Sequence, residues 1–174
     1  MIELLILFSL TKRELTMYGI QKNISDIFGA YTKPSFGAIK PALKRLEASK
    51  FIHSKKILSE GGKQSCFYNI TPDGLTELKK LILEDLSENP LQFFSNARIK
   101  LSCASFLSNE ETNSLYLRIK TRALEHKFTA ENILNDEYTP LTFHQRVVLD
   151  NSICEYQNFI SLVETLEKNN ASNS

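Results

Sequence analysis

Between Lys33 and Ile52 the chain reads KPSFGAIKPALKRLEASKFI, and this stretch limits the possible folds more than any other. With Ser35 as N-cap and about 100° per residue, Phe36, Ile39, Leu43 and Leu46 fall on one stripe, which is predicted to be buried. Gly37, Lys40, Pro41 and Lys44 lie across from that stripe and Arg45 lies further round, so the outer face is small and basic. Two β-prone runs follow directly, Phe51–Leu58 (FIHSKKIL) and Ser65–Ile70 (SCFYNI). They flank SEGGKQ, whose adjacent glycines suit a tight hairpin turn. Helix, strand, glycine turn, strand is the order of a winged helix.

A basic outer helix face suits a groove of DNA, because lysines neutralise phosphates and a glycine lets the backbone come close. The same face also fits an ordinary solvated helix. The hairpin favours the first reading, since Lys55 and Lys56 on the incoming strand and Lys63 and Gln64 at the turn make its tip basic too. Pro41 removes a backbone donor inside the helix and costs about 3 kcal/mol in an ordinary one, so a kink is expected there. A shorter helix starting at Pro41 is the alternative. The stripe running on through Phe36 and Ile39 favours the longer helix.

The charge is divided along the chain. Residues 1–80 hold 13 Lys and Arg against 7 Asp and Glu, while residues 81–174 hold 8 against 13, so a basic first half precedes an acidic second half. Phosphate binding depends on local potential, which assigns a polyanion to the first half. With 174 residues, 42% of them hydrophobic, the chain can build a proper core in one large or two small domains.

The opening MIELLILFSL carries Glu3 and has neither a basic start nor a small-residue cleavage site. It reads as a first helix, apolar almost all round, covered on one side by its own domain and on another by a partner or second domain. No stretch of about 18 apolar residues predicts a membrane span. Cys66, Cys103 and Cys154 form no Cys-x-x-Cys pair, so neither a disulfide framework nor a metal site is expected, and a reduced cytoplasm fits.

Thr16 is the expected N-cap of a second helix, Met17 to Phe28, with Tyr18, Ile20, Ile24, Ile27 and Phe28 as apolar contacts and Gly29 as its stop. Lys22 on this helix is a candidate phosphate contact. After the wing, Thr71-Pro72-Asp73-Gly74 starts a helix with a threonine cap, a proline in the first turn and an acid at the positive end of the dipole. That helix is expected to reach about Ser87, which places the domain boundary near residue 88.

The second half reads as helical throughout. One helix covers Pro90 to Leu107, and Ser108 with Glu111 forms a capping box for the next, which runs to about Glu137. Tyr116, Ile119, Ala123, His126, Ala130 and Ile133 recur at the spacing of a helix–helix seam, as in a coiled coil. Thr142 caps a last helix to about Lys168, with Leu149, Ile153, Tyr156, Ile160 and Val163 on its seam. Two long helices joined by a short turn lie antiparallel, and their apolar surface exceeds what one partner covers, so a second chain is the expected cover. Leu4, Tyr116, Ile119, Ala123, Ile133, Leu149, Ile153, Tyr156, Ile160 and Val163 are the candidate dimerisation residues.

KPSFGAIKPALKRLE, the GGK turn and FYNITPDGLTEL together resemble the PadR family of bacterial transcriptional regulators. The pattern pairs a Pro-Ser-x-Gly-x-Ile helix with a Gly-Gly wing and a Tyr-x-Leu/Ile-Thr-x-x-Gly segment. Lys40 stands where a tyrosine is usual, Thr32 where an aromatic is usual, and Lys50 where a glycine often ends the helix. MYGIQKNI matches a further family segment at Tyr18, Ile20 and Lys22, with Met17 and Gly19 replacing a glycine and an acid. The helical half, with FSNARIKLSCASFLS, resembles the C-terminal domain of longer PadR-like proteins related to virulence-gene activators, in which long antiparallel helices of two chains interlock.

The expected architecture is mostly α with a small β-hairpin: a winged helix-turn-helix over residues 1–88, an antiparallel helical dimerisation domain over 89–168, and a disordered tail over 169–174. The resemblance implies a homodimer on an inverted-repeat operator in double-stranded DNA, with repression commoner than activation in the family as a whole. The candidate DNA contacts are Lys22, Lys33, Ser35, Gly37, Lys40, Lys44, Arg45, Lys55, Lys56, Lys63 and Gln64. A helical adaptor whose winged helix docks a protein is the alternative. No phosphate loop, His-Glu-x-x-His or Gly-x-Ser-x-Gly occurs, so no catalysis and no cofactor are expected. No small-molecule effector is identified, and without tryptophan the stacked-indole drug site of some short PadR-like proteins is not expected.

Overall fold

A computed structural model describes residues 1–58 and 64–172. The chain divides into two compact units, residues 1–84 with 98–106, and residues 85–97 with those from 107 onward. The long α5 helix (Pro90–Ser102) therefore starts in the second unit and ends in the first.

The first unit is built around α1 (Ile2–Leu10), which packs on α2 (Met17–Phe28), α3 (Phe36–Ala48) and α4 (Pro72–Leu83). A helix apolar on all sides needs neighbours on all sides. Leu4, Leu5, Ile6, Leu7 and Leu10 are each no more than 1% exposed within the single chain. Leu4, one of the dimerisation candidates, is thus buried in the single chain.

Thr16 and Ser35 cap their helices as expected: Gly19 N–H donates to Thr16 Oγ1 (3.1 Å) and Ala38 N–H to Ser35 Oγ (3.3 Å). Ile20, Ile24 and Phe28 of α2 and Ile39, Ala42, Leu43 and Leu46 of α3 form the buried faces. Pro41 lies inside α3, so the longer helix is the one that forms. Phe36 leaves the predicted stripe. As the first helical residue it has no preceding turn to pack beside, and it remains 39% exposed.

α3 ends in a complete Schellman motif. Phe51 N–H donates to Leu46 O (2.9 Å), Lys50 N–H to Glu47 O (3.0 Å), and Lys50 takes the left-handed conformation at φ 62°. β2 (Ile52–Leu58) then pairs antiparallel with β3 (Gln64–Ile70), in the register Ile52↔Ile70 to Leu58↔Gln64. A third strand, β1 (Leu15–Thr16), pairs with β3 on its other edge, giving the order β1-β3-β2. The turn with Gly61, Gly62 and Lys63 lies outside the described residues.

Thr71 locks the wing to α4. Its Oγ1 donates towards Lys50 O (2.8 Å) and Phe51 O (3.0 Å) and accepts from Gly74 N–H (3.0 Å). At the other end of α4, Lys100, only 3% exposed, donates Nζ–H bonds to Leu81 O (2.9 Å), Ile82 O (3.0 Å) and Glu84 O (2.5 Å). A cation on the last carbonyls satisfies acceptors that the helix leaves open and opposes the negative end of its dipole. α4 thus stops at Leu83 rather than near Ser87. A 3-10 turn, Ala104–Phe106, follows α5 and places Phe106 edge-on to Phe8 at 5.8 Å.

The second unit contains α6 (Asn109–Leu134) and α7 (Phe143–Ser172), with the predicted capping box of Ser108 and Glu111 in place. The two helices run antiparallel, tied by Asn113–Asn170 (3.1 Å), Lys120–Glu167 (2.7 Å) and Lys127–Gln157 (2.8 Å). α7 continues to Ser172, past the expected helix end at Lys168. Among the described residues, no helix is long and apolar enough to cross a membrane.

Candidate nucleic-acid interface

Because Ile39, Ala42, Leu43 and Leu46 turn α3 inward, the 3.6-residue repeat turns Gly37, Lys40, Pro41 and Lys44 outward, and all four are exposed. Lys33 and Ser35 on the approach to α3, and Lys22 on α2, are exposed as well. The Ser35 side chain is already engaged as the cap, so its hydroxyl is part of the helix start.

Gly37 is informative because its own chain does not require a glycine there. A Cβ built at this position would meet only Ser35 Oγ, at 3.5 Å, an ordinary contact. Glycine inside a helix is about 0.5–1 kcal/mol worse than alanine. Gly74 is the opposite case, since the Phe51 carbonyl oxygen already occupies the place of its Cβ.

Two candidate cations are engaged within the chain. Arg45 Nε lies 2.7 Å from Glu3 Oε1, and Lys55 Nζ lies 2.6 Å from Glu14 Oε2. Both cations keep more than half of their side-chain surface exposed. Lys56 and Gln64 are exposed on the wing strands, and Lys63 lies outside the described residues. Beside them, Tyr68 on β3 is pushed up to about 12, first by burial and then by its hydrogen bond with Cys66. It therefore adds no negative charge to the wing at neutral pH.

Three features of the first unit differ from the sequence expectations or lie outside them. Lys12 and Arg13 are exposed in the segment between α1 and β1. Tyr18, expected as an apolar contact of α2, is 68% exposed and stacks on Phe36, with ring centroids 6.4 Å apart and planes inclined at 19°. Its helical phase held the signal, because it is turned about 160° away from Ile20. Ile27, also expected as a contact, is 47% exposed.

In the second unit, the seam residues Tyr116, Ile119 and Ala123 of α6 and Tyr156, Ile160 and Val163 of α7 are buried within the single chain. Leu149 and Ile153 are half-buried, and Ile133 is 44% exposed. A separate apolar set faces outward: Leu117, Leu124 and Phe128 on α6, and Phe143, Val147 and Val148 on α7, each at least 50% exposed.

Residues 6–80 match the model of the transcriptional regulator PadR-like family. The chain is 30% identical to a PadR family transcription regulator of Clostridium difficile, over 45% of this chain and 80% of that one, with a TM-score of 0.40. It is 21% identical to Bacillus subtilis PadR in complex with operator DNA, over 95% and 96% of the two chains, with a TM-score of 0.47. Against a PadR-like transcriptional regulator of Bacillus cereus the identity is 19% over 100% of both chains, with a TM-score of 0.43. No curated protein matches the chain. The family match spans the capped helices and the wing described above, and with the identity to the clostridial regulator it carries the conclusion that this chain belongs to the PadR-like family of transcriptional regulators.

Proposed function

We propose that this regulator binds an inverted-repeat operator in double-stranded DNA as a homodimer, with α3 in the major groove and Lys56 and Gln64 of the wing on the adjoining backbone. The observation that carries the reading is Gly37: it is exposed, flanked by Lys33, Lys40 and Lys44, and not needed by the fold around it. A helix bears that cost where another backbone must come close. Lys40 and Lys44 reach phosphates or base edges, and Lys22 and Lys33 reach phosphates beside them.

The outward apolar set on α6 and α7 supports the dimer. Leu117, Leu124 and Phe128 recur at seven and four residues along α6, a stripe that a second copy of the hairpin can cover. The interface then uses the outer stripe rather than the inner seam. Two-fold symmetry sets the half-sites about 34 Å apart or at a multiple of that distance. Repression by operator occupancy is the mode proposed.

The test is the double variant Lys40→Glu with Lys44→Glu, assayed for DNA binding and for mass in solution. Loss of DNA binding with the dimer intact is the expected result. Unchanged DNA binding removes α3 from the interface and leaves a protein-docking role for the winged helix.

A further inference from the structure

Tyr18 and Phe36 give the proposed DNA face an apolar element that its lysines do not explain. The fold has aliphatic and aromatic side chains enough to close its core: Ile20, Ile24, Phe28, Ile39 and Leu43 are all within 1% of complete burial. Yet two large rings beside them stay in water, 68% exposed at Tyr18 and 39% at Phe36, and they stack on each other at 6.4 Å. Tyr18 lies in the first turn of α2, and Phe36 is the first residue of α3, one position before Gly37 and one helical row from Lys40.

The location narrows what such a pair can meet. N-terminal residues of a recognition helix are those that contact base edges. In the major groove the base edges present donors, acceptors and one apolar group, the 5-methyl of thymine. The Lys40 and Lys44 ammonium groups can serve phosphates or acceptors, but neither is suited to a methyl. An aromatic ring is, and the stack on Tyr18 limits where the Phe36 ring can turn.

We propose that Phe36, buttressed by Tyr18, reads a thymine methyl in each half-site and is a specificity-determining residue of this regulator. The inference rests on the DNA-binding reading above. Phe36 makes the contact, and Tyr18 is a positioning residue.

The experiment uses the full chain to select duplexes from a random pool, then replaces each thymine of the selected sequence in turn by uracil, which pairs identically but lacks the methyl. One replacement per half-site is expected to weaken binding about fourfold, the scale of one buried methyl group. Phe36→Ala should bind both duplexes equally while remaining folded, and Phe36→Leu should keep part of the difference. Uracil replacements that are silent everywhere, or a methyl effect that persists undiminished in Phe36→Ala, overturn the inference and leave the regulator reading standing. A pool that yields no preferred sequence overturns both.

Discussion

Arg45 Nε donates a hydrogen bond to Glu3 Oε1 across 2.7 Å, joining the outer side of α3 to the first turn of α1. The arginine side chain is 59% exposed, so the pair is a surface ion pair, of the kind that contributes about 0–1 kcal/mol. Its consequence is directional: the guanidinium is held towards α1 and away from the Lys40 and Lys44 row. Arg45→Ala is therefore expected to weaken DNA binding less than Lys40→Ala or Lys44→Ala at the same salt. An Arg45 loss equal to either lysine loss would show that the arginine leaves Glu3 on binding.

Gly37 separates stability from function. Gly37→Ala should raise stability by about 0.5–1 kcal/mol, because the added methyl has room and the helix gains propensity. The same change should weaken DNA binding, because the methyl stands where a second backbone approaches. Chemical denaturation and a binding titration on one preparation check both halves, and a variant that is more stable with undiminished affinity refutes the close approach.

Lys50 and Gly74 make a matched pair of stability predictions at the junction of α3, the wing and α4. Lys50 sits at φ 62°, where a side chain costs about 1 kcal/mol that glycine does not, so Lys50→Gly should stabilise by that amount. Gly74→Ala should destabilise by about 2 kcal/mol or more, since its Cβ meets the Phe51 carbonyl and, at 2.8 Å, Ile70 Cγ1. Denaturant midpoints at constant slope measure both.

His126 predicts a pH dependence. It packs against Phe93 (5.2 Å between ring centroids) and Tyr156 (5.6 Å), and its Nε2 is buried with no hydrogen-bond partner among the described residues. Burial holds its pKa below the usual value of about 6.5, and Arg122 pushes the same way, against Glu125 and a hydrogen bond with the Ser87 backbone. The unfolded chain takes up a proton near 6.5 while the folded chain resists it, so this contribution to stability is present above that pH and is lost as pH falls below it. Melting temperature should drop between about pH 7.5 and pH 5.5. His126→Phe, which suits the aromatic surroundings, should flatten that drop, and an equally steep drop in the variant would assign it elsewhere.

Capped helices were the most legible part of the chain. Thr16, Ser35, Thr71 and Ser108 mark helix starts by chemistry local to a few residues, and the buried positions of α3 follow from its period. Features set by distant residues were not legible. Lys100 reads as one more charged helix position, because the open carbonyls it caps lie 16–19 residues earlier. β1 is two residues long and carries no period. Periodicity marks the seam of α6 and α7 but not whether the opposing helix comes from the same chain, and Tyr116, Ile119 and Val163 are buried within the single chain. Tyr18 and Phe36 are hydrophobic enough for a core, but their place in the first turns of α2 and α3 leaves them exposed.

The most direct test of DNA binding through the basic face of the first unit is fluorescence anisotropy of the full chain on a selected duplex and a scrambled one, across a series of salt concentrations. The expected result is preference for the selected duplex, two chains per site, and an affinity whose logarithm falls linearly with the logarithm of salt, with a slope of about −0.9 for each phosphate neutralised. Absence of binding to any duplex even at low salt would rule out DNA binding through this face.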